Sequence, residues 1–180
     1  MLTAFIPRET TPGETRASAT PDSVKRLVKA GLAIQVERGA GLGASISDAA
    51  FEQAGAGIIA DAGAGYASAD LVLKLHPPAP EEVARMRAGA ALVSFIHAYR
   101  NLPLIERLRD GRITAFAMDA IPRLSRAQKM DALSSQANIA GYKAIVMAAD
   151  ALGKLFPMLM TASGTIRPAH VVVLGAGVAG

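Results

Sequence analysis

The 180-residue chain has no cysteine and no tryptophan, and aromatic residues make up only 4% of it. Without cysteine it can carry no disulfide framework, thiolate-held iron–sulfur cluster, thiol nucleophile or Cys-type zinc centre. With so few aromatic rings the core must be aliphatic, built from Val, Ile, Leu, Met and abundant Ala. Charged residues are also sparse, at 19% against 51% hydrophobic, which excludes a disordered chain. No apolar signal core is present at the start, because Met1 to Pro7 is short and Arg8 follows at once. The most apolar long stretch, Ile139 to Thr161, is interrupted by Lys143, Asp150 and Lys154, so no direct membrane insertion is expected. No G-x-S-x-G elbow supports hydrolase chemistry. The three histidines, His76, His97 and His170, have no metal-ligand spacing on a helix, and no metal is expected. The formal charge is +4 and the basic residues are scattered, so nucleic acid is not an expected partner either.

What is present is an alternation of short apolar runs with helix-period segments. Strands are expected at Leu2–Ile6, Leu32–Val36, Ile58–Ile59, Leu71–Leu75, Ala91–Ile96 and Ile113–Met118. Between them, Thr20-Pro21-Asp22 opens a helix whose apolar face is Val24, Leu27 and Val28 and whose end is Gly31. Ser47-Asp48 caps a short helix ending at Gly55, and Pro80 to Met86 is helical. Asn101 caps a helix with Leu102, Ile105 and Leu108 on one face, closed by Gly111. Such alternation implies parallel strands joined by right-handed crossovers in an open, doubly wound α/β sheet. From about Ser134 to Leu155 only Gly141 interrupts, which predicts a long linking helix, and His170–Leu174 reads as a further strand.

Two segments carry candidate chemistry. Gly175-Ala176-Gly177-Val178-Ala179-Gly180 fits G-x-G-x-x-G directly after that apolar run. The first glycine permits the tight turn, the second lets backbone approach a pyrophosphate, and the third allows close helix packing. The alternative is a plain structural turn. The second segment, Asp119 to Asp131, concentrates Arg123, Arg126, Gln128 and Asp131 at a strand end. Arg can clamp a phosphate or carboxylate, Gln can pair with a carboxamide, and Asp can accept from a ribose hydroxyl or orient an Arg. A solvated, internally paired loop is the competing reading. His76 and His97 also lie at carboxyl ends of expected strands, where open α/β sheets bind ligands, although such residues are commonly solvated.

Ile6-Pro7-Arg8-Glu9, the run Glu14 to Pro21, and Glu37-Arg38-Gly39-Ala40-Gly41 resemble the N-terminal signature shared by alanine dehydrogenases and the α subunit of proton-translocating NAD(P) transhydrogenases. The segment Pro122 to Ala144 is similar to the transhydrogenase loop named for its Arg, Gln and Asp, and to the helix after it, which alanine dehydrogenases lack. The resemblance implies catalytic positioning by Arg123, Gln128 and Asp131 around a nicotinamide and its ribose. It extends the NAD(H) contacts to Leu124, Ser125, Lys129, Met130 and Ser134, and places Gly175, Ala176, Gly177, Val178 and Gly180 along the pyrophosphate. Arg16 matches the carboxylate-binding Arg of alanine dehydrogenases and His97 their catalytic His. The Lys expected two residues after Lys74 is instead His76, so no alanine oxidation is expected.

The expected organisation is therefore an N-terminal Rossmann-like domain at 1–130, a linking helix and loop at 131–168, and the first strand of a second, incomplete Rossmann domain at 169–180. The resemblance implies the NAD(H)-binding component of a transhydrogenase, passing hydride between NADH and NADP+ where NADP(H) is bound on a partner component, with proton coupling in a membrane component. It further implies a homodimer, peripheral on the cytoplasmic face of the inner membrane. An alanine dehydrogenase-like oxidoreductase and a non-catalytic module of the same fold remain the alternatives, and the 180 residues alone are expected to be inactive.

Overall fold

The computed structural model describes residues 1–180, which divide into two compact units, Met1–Ala120 and Ile121–Gly180. The first unit is a six-stranded, all-parallel sheet. Its strands are β1 (Thr3–Ile6), β2 (Ala33–Glu37), β3 (Gly57–Ile59), β4 (Leu71–Leu73), β5 (Ala91–Ser94) and β6 (Thr114–Ala117), in the spatial order β3-β2-β1-β4-β5-β6. Each crossover carries a helix: α1 (Pro21–Lys29), α2 (Asp48–Gln53), α3 (Ala62–Ser68), α4 (Pro80–Arg85) and α5 (Leu102–Asp110). The expected doubly wound α/β architecture is what forms.

Side chains alternate across β1 and bury both of its faces. Ala4 and Ile6 join Val24, Ile34, Val36 and Phe51 in one core, whereas Phe5 joins Tyr66, Val72, Val83, Leu92, Leu104 and Leu108 in the other. The helices follow their caps. Thr20 accepts from the Ser23 N–H and Ser23 Oγ accepts from the Thr20 N–H, a reciprocal capping box that starts α1 ahead of Pro21. Ser47 caps α2 by accepting from the Ala50 N–H. Asn101 departs from expectation: it stands at the start of α5, yet its side chain makes no capping bond. Its carbonyl instead accepts from Leu104 and Ile105 N–H.

The second unit holds helix α6 (Ala132–Ala151) and an antiparallel hairpin of β7 (Leu159–Thr161) and β8 (Gly164–Ile166). No residue of α6 is buried. The strand expected over His170–Leu174 is not formed. A strand exists only through ladder partners, and these apolar residues pair with no other segment. No helix is long and apolar enough to cross a membrane.

Candidate functional site

The strand order reverses between β1 and β4, so the chain leaves these neighbours in opposite directions and opens a crevice at their carboxyl ends. Buried polar groups crowd that end of the first unit. Lys74, with its side chain 2% exposed, sets Nζ 2.9 Å from Glu82 Oε1 and 3.7 Å from Glu9 Oε2. The Tyr66 hydroxyl donates to the same Glu82 oxygen at 2.6 Å. Burial would raise the Glu82 carboxyl, but the bonds from Tyr66 and Lys74 outweigh it and hold the group below its usual range. Burial, and then Glu82, push the Tyr66 hydroxyl strongly up. Glu9 accepts the N–H groups of Leu75 and, at longer range, His76, at 2.6 and 3.4 Å, and so fixes the chain leaving β4.

His76 Nε2 lies 2.7 Å from Glu14 Oε2, and Arg16 forks onto the two Glu14 oxygens at 2.8 and 2.6 Å. At the end of β5, His97 adopts a left-handed backbone, φ 52°, with its exposed ring stacked on Phe95. Asp119 holds that turn, accepting from the Ile96 N–H at 2.7 Å and the His97 N–H at 3.0 Å. Burial would raise the Asp119 carboxyl, but these N–H groups and the His97 charge keep it low. Composition alone singles out neither Asp119 nor Glu14. The Glu-x-Arg spacing from Glu14 to Arg16 is the available signal for one; nothing local marks the other.

In the second unit the Arg-Gln-Asp segment is ordered by its own hydrogen bonds. Residues Ser125–Met130 form a 3₁₀ helix, opened by Ala127 N–H donating to Leu124 O at 2.8 Å, with Ala127 buried beneath it. Pro122, Arg123, Leu124, Ser125, Gln128 and Asp131 line a cavity of about 190 Å³. Asp131 is the cap of α6, accepting from the Ser134 N–H at 2.9 Å and the Ser134 hydroxyl at 2.6 Å. Those two bonds, with the Arg123 charge, hold the Asp131 carboxyl below the usual carboxylate range. Ser134 is bonded to Asp131 but lies outside the lining, as do the exposed Lys129 and Met130.

The glycine-rich turn borders a different cavity, of about 390 Å³, with Ala140, Gly141 and Ala144 of α6. Gly175 has φ +110°, and neither it nor Gly177 would bring a Cβ within 4 Å of another atom, so the backbone there is open to close approach. Gly141 and Gly180 are required for the opposite reason, since a Cβ on either would overlap a carbonyl, of Ala179 and of Gly175 respectively. The structure therefore brings five of the expected residues into one cavity and places Gly175 and Gly180 at another. Ala176, Gly177 and Val178 belong to neither lining.

The model of the alanine dehydrogenase/PNT N-terminal domain matches residues 5–140, and that of the corresponding C-terminal domain matches 144–180. The chain belongs to the alanine dehydrogenase/PNT family. It is 47% identical, over 97% of its length, to a chain of NAD(P) transhydrogenase subunit alpha from Rhodospirillum rubrum, covering 47% of that protein. It is 34% identical to the alanine dehydrogenase of Mycobacterium tuberculosis, over 97% of this chain and 47% of the relative. The crystal structure of a transhydrogenase from Sinorhizobium meliloti superposes with a TM-score of 0.94 at 42% identity, covering 99% of this chain and 53% of that one. The chain spans about half the length of these family relatives.

Proposed function

We propose that this chain is the NAD(H)-binding component of a proton-translocating NAD(P) transhydrogenase. The observation that carries the reading is the cavity at Pro122–Asp131, where Arg123, Gln128 and Asp131 stand together on a chain similar in sequence to a transhydrogenase α subunit. The donor set suits a nicotinamide nucleotide. Gln128 offers an amide complementary to a carboxamide, and Arg123 offers a fixed fork of donors. Open backbone at Gly175 and Gly177 suits close approach of a pyrophosphate.

When bound, NADH would supply the hydride, and its acceptor would be NADP+ held on a partner component. The chain's own residues bind and orient, and no side-chain acid or base is needed. Asp131 ties the loop to the first turn of α6 and balances Arg123, so the loop is held before a ligand arrives. The same reading gives proton movement to a membrane component. It also makes this component a homodimer, peripheral on the cytoplasmic face, and the word "subunit" in the relative's name supports division of the enzyme among chains.

The test is Gln128→Ala in the full-length protein assembled with its partner components. Hydride transfer to an NADP analogue is expected to fall at least about tenfold while NADH affinity changes by less than about threefold, the pattern of an interaction realised on the way to the transition state. Unchanged transfer would refute the assignment of Gln128.

A further inference from the structure

Helix α6 connects the two cavities of the second unit. Asp131, its cap, lines the cavity of the Arg-Gln-Asp segment, and Gly141, ten residues along, lines the cavity of the glycine-rich turn. Ten residues of α-helix span about 15 Å of axis, so a ligand that touches both ends must be elongated. Gly141 is the only glycine in α6, and a glycine inside a helix weakens it relative to alanine. What the missing Cβ permits is contact with the turn. A Cβ on Gly141 would overlap the Ala179 carbonyl oxygen and would stand only 3.0 and 3.2 Å from the Ala179 carbonyl carbon and Cα. These are backbone atoms, which cannot swing aside as the end of a side chain can. Across the turn, Gly180 sits as tightly on the Gly175 carbonyl. The loop is therefore folded on itself as well as onto α6, and a Cβ at 141 would displace it as a body.

We propose that Gly141 is a positioning residue for the glycine-rich turn: it seats the turn on α6 at a fixed distance from the Arg-Gln-Asp cavity, and so favours a dinucleotide over a mononucleotide. The proposal rests on the NAD(H) reading above and adds to it a helix residue outside both candidate motifs. Gly141 touches the backbone of the turn and not the ligand. No atom lies within 4 Å of where a Cβ on Gly175 or Gly177 would stand, so the turn is held at Ala179 and Gly180 and open where a phosphate would approach. Every residue lining the cavity between the turn and α6 is apolar, so shape and not charge sets the seat.

The experiment is calorimetric titration of the full-length wild type and Gly141→Ala with NADH, ADP-ribose and reduced nicotinamide mononucleotide at one salt concentration. Urea unfolding of both proteins is followed in parallel by far-UV circular dichroism. In Gly141→Ala, NADH and ADP-ribose, which carry the pyrophosphate, are each expected to bind at least about tenfold more weakly, a loss of about 1.4 kcal/mol. The mononucleotide, which lacks it, is expected to change by less than about threefold. The urea midpoint is not expected to fall, because alanine strengthens the helix. A lowered midpoint, or a mononucleotide weakened in step with NADH, would make Gly141 a packing residue and overturns the proposal. Unchanged NADH affinity in Gly141→Ala, beside normal binding by the wild type, overturns it too and leaves the NAD(H) reading intact. A wild type that binds neither NADH nor ADP-ribose overturns that reading and this proposal with it.

Discussion

Lys74 is the residue on which the first unit's polar interior depends most. Its ammonium is the cation shared by Glu9 and Glu82, and the Lys74 and Glu9 side chains are each only 2% exposed. Replacing it with Met keeps the bulk and leaves two enclosed carboxylates without it. Breaking a buried pair from one side costs about 3–5 kcal/mol, so Lys74→Met is expected to lose that much in urea unfolding, with an unchanged m-value. A loss under about 1 kcal/mol would show that water reaches the carboxylates. Asp131 gives a pH dependence of its own. Its folded pKa lies below the ordinary Asp value, so its contribution is fully present above that value, near pH 4, and disappears as pH falls through the lowered one. Far-UV circular dichroism is expected to show acid loss of α6 helicity at lower pH in the wild type than in Ser134→Ala, which lacks the hydroxyl that lowers Asp131. Identical acid transitions would contradict the cap.

At the scale of elements, strong local signals are legible and weak ones are not. Thr20-Pro21 and Ser47-Asp48 name their helix starts, and both helices begin there. Helix α3 is hidden in the sequence because Ala62–Ser68 holds two glycines, poor helix formers that tertiary packing overrides here. Gly65 shows why glycine is there: a Cβ would come 2.5 Å from the Phe5 ring, itself fully buried and set edge-on to Tyr66 at 5.1 Å. Gly65→Ala would ordinarily favour a helix, but the overlap with Phe5 is expected to reverse the sign. A net loss of about 1–3 kcal/mol is expected by chemical denaturation. A stabilised variant would mean that the Phe5 ring yields. The β7–β8 hairpin is not legible either, because Ser163-Gly164 reads equally as a break or as a turn. His170–Leu174 misleads in the other direction: its composition is that of a buried strand, but pairing is a property of neighbours, which a local pattern does not contain.

For the whole molecule, the doubly wound sheet follows from the strand–helix rhythm, and its order β3-β2-β1-β4-β5-β6 locates the crevice that the rhythm alone does not. The same limit applies to the site. Arg123, Gln128 and Asp131 are close in sequence, so their shared cavity is foreseeable. Glu9 meets Leu75 from 66 residues away, and Asp119 meets Ile96 from 23, and such pairs are set by the sheet. The central claim is that the chain belongs to an NAD(H)-binding component. Calorimetric titration of the full-length protein with NADH and with NADPH, at one salt concentration, tests it most directly. The account predicts that NADH binds at least about tenfold more tightly than NADPH, about 1.4 kcal/mol in its favour. Equal affinities, or a preference for NADPH, would contradict it.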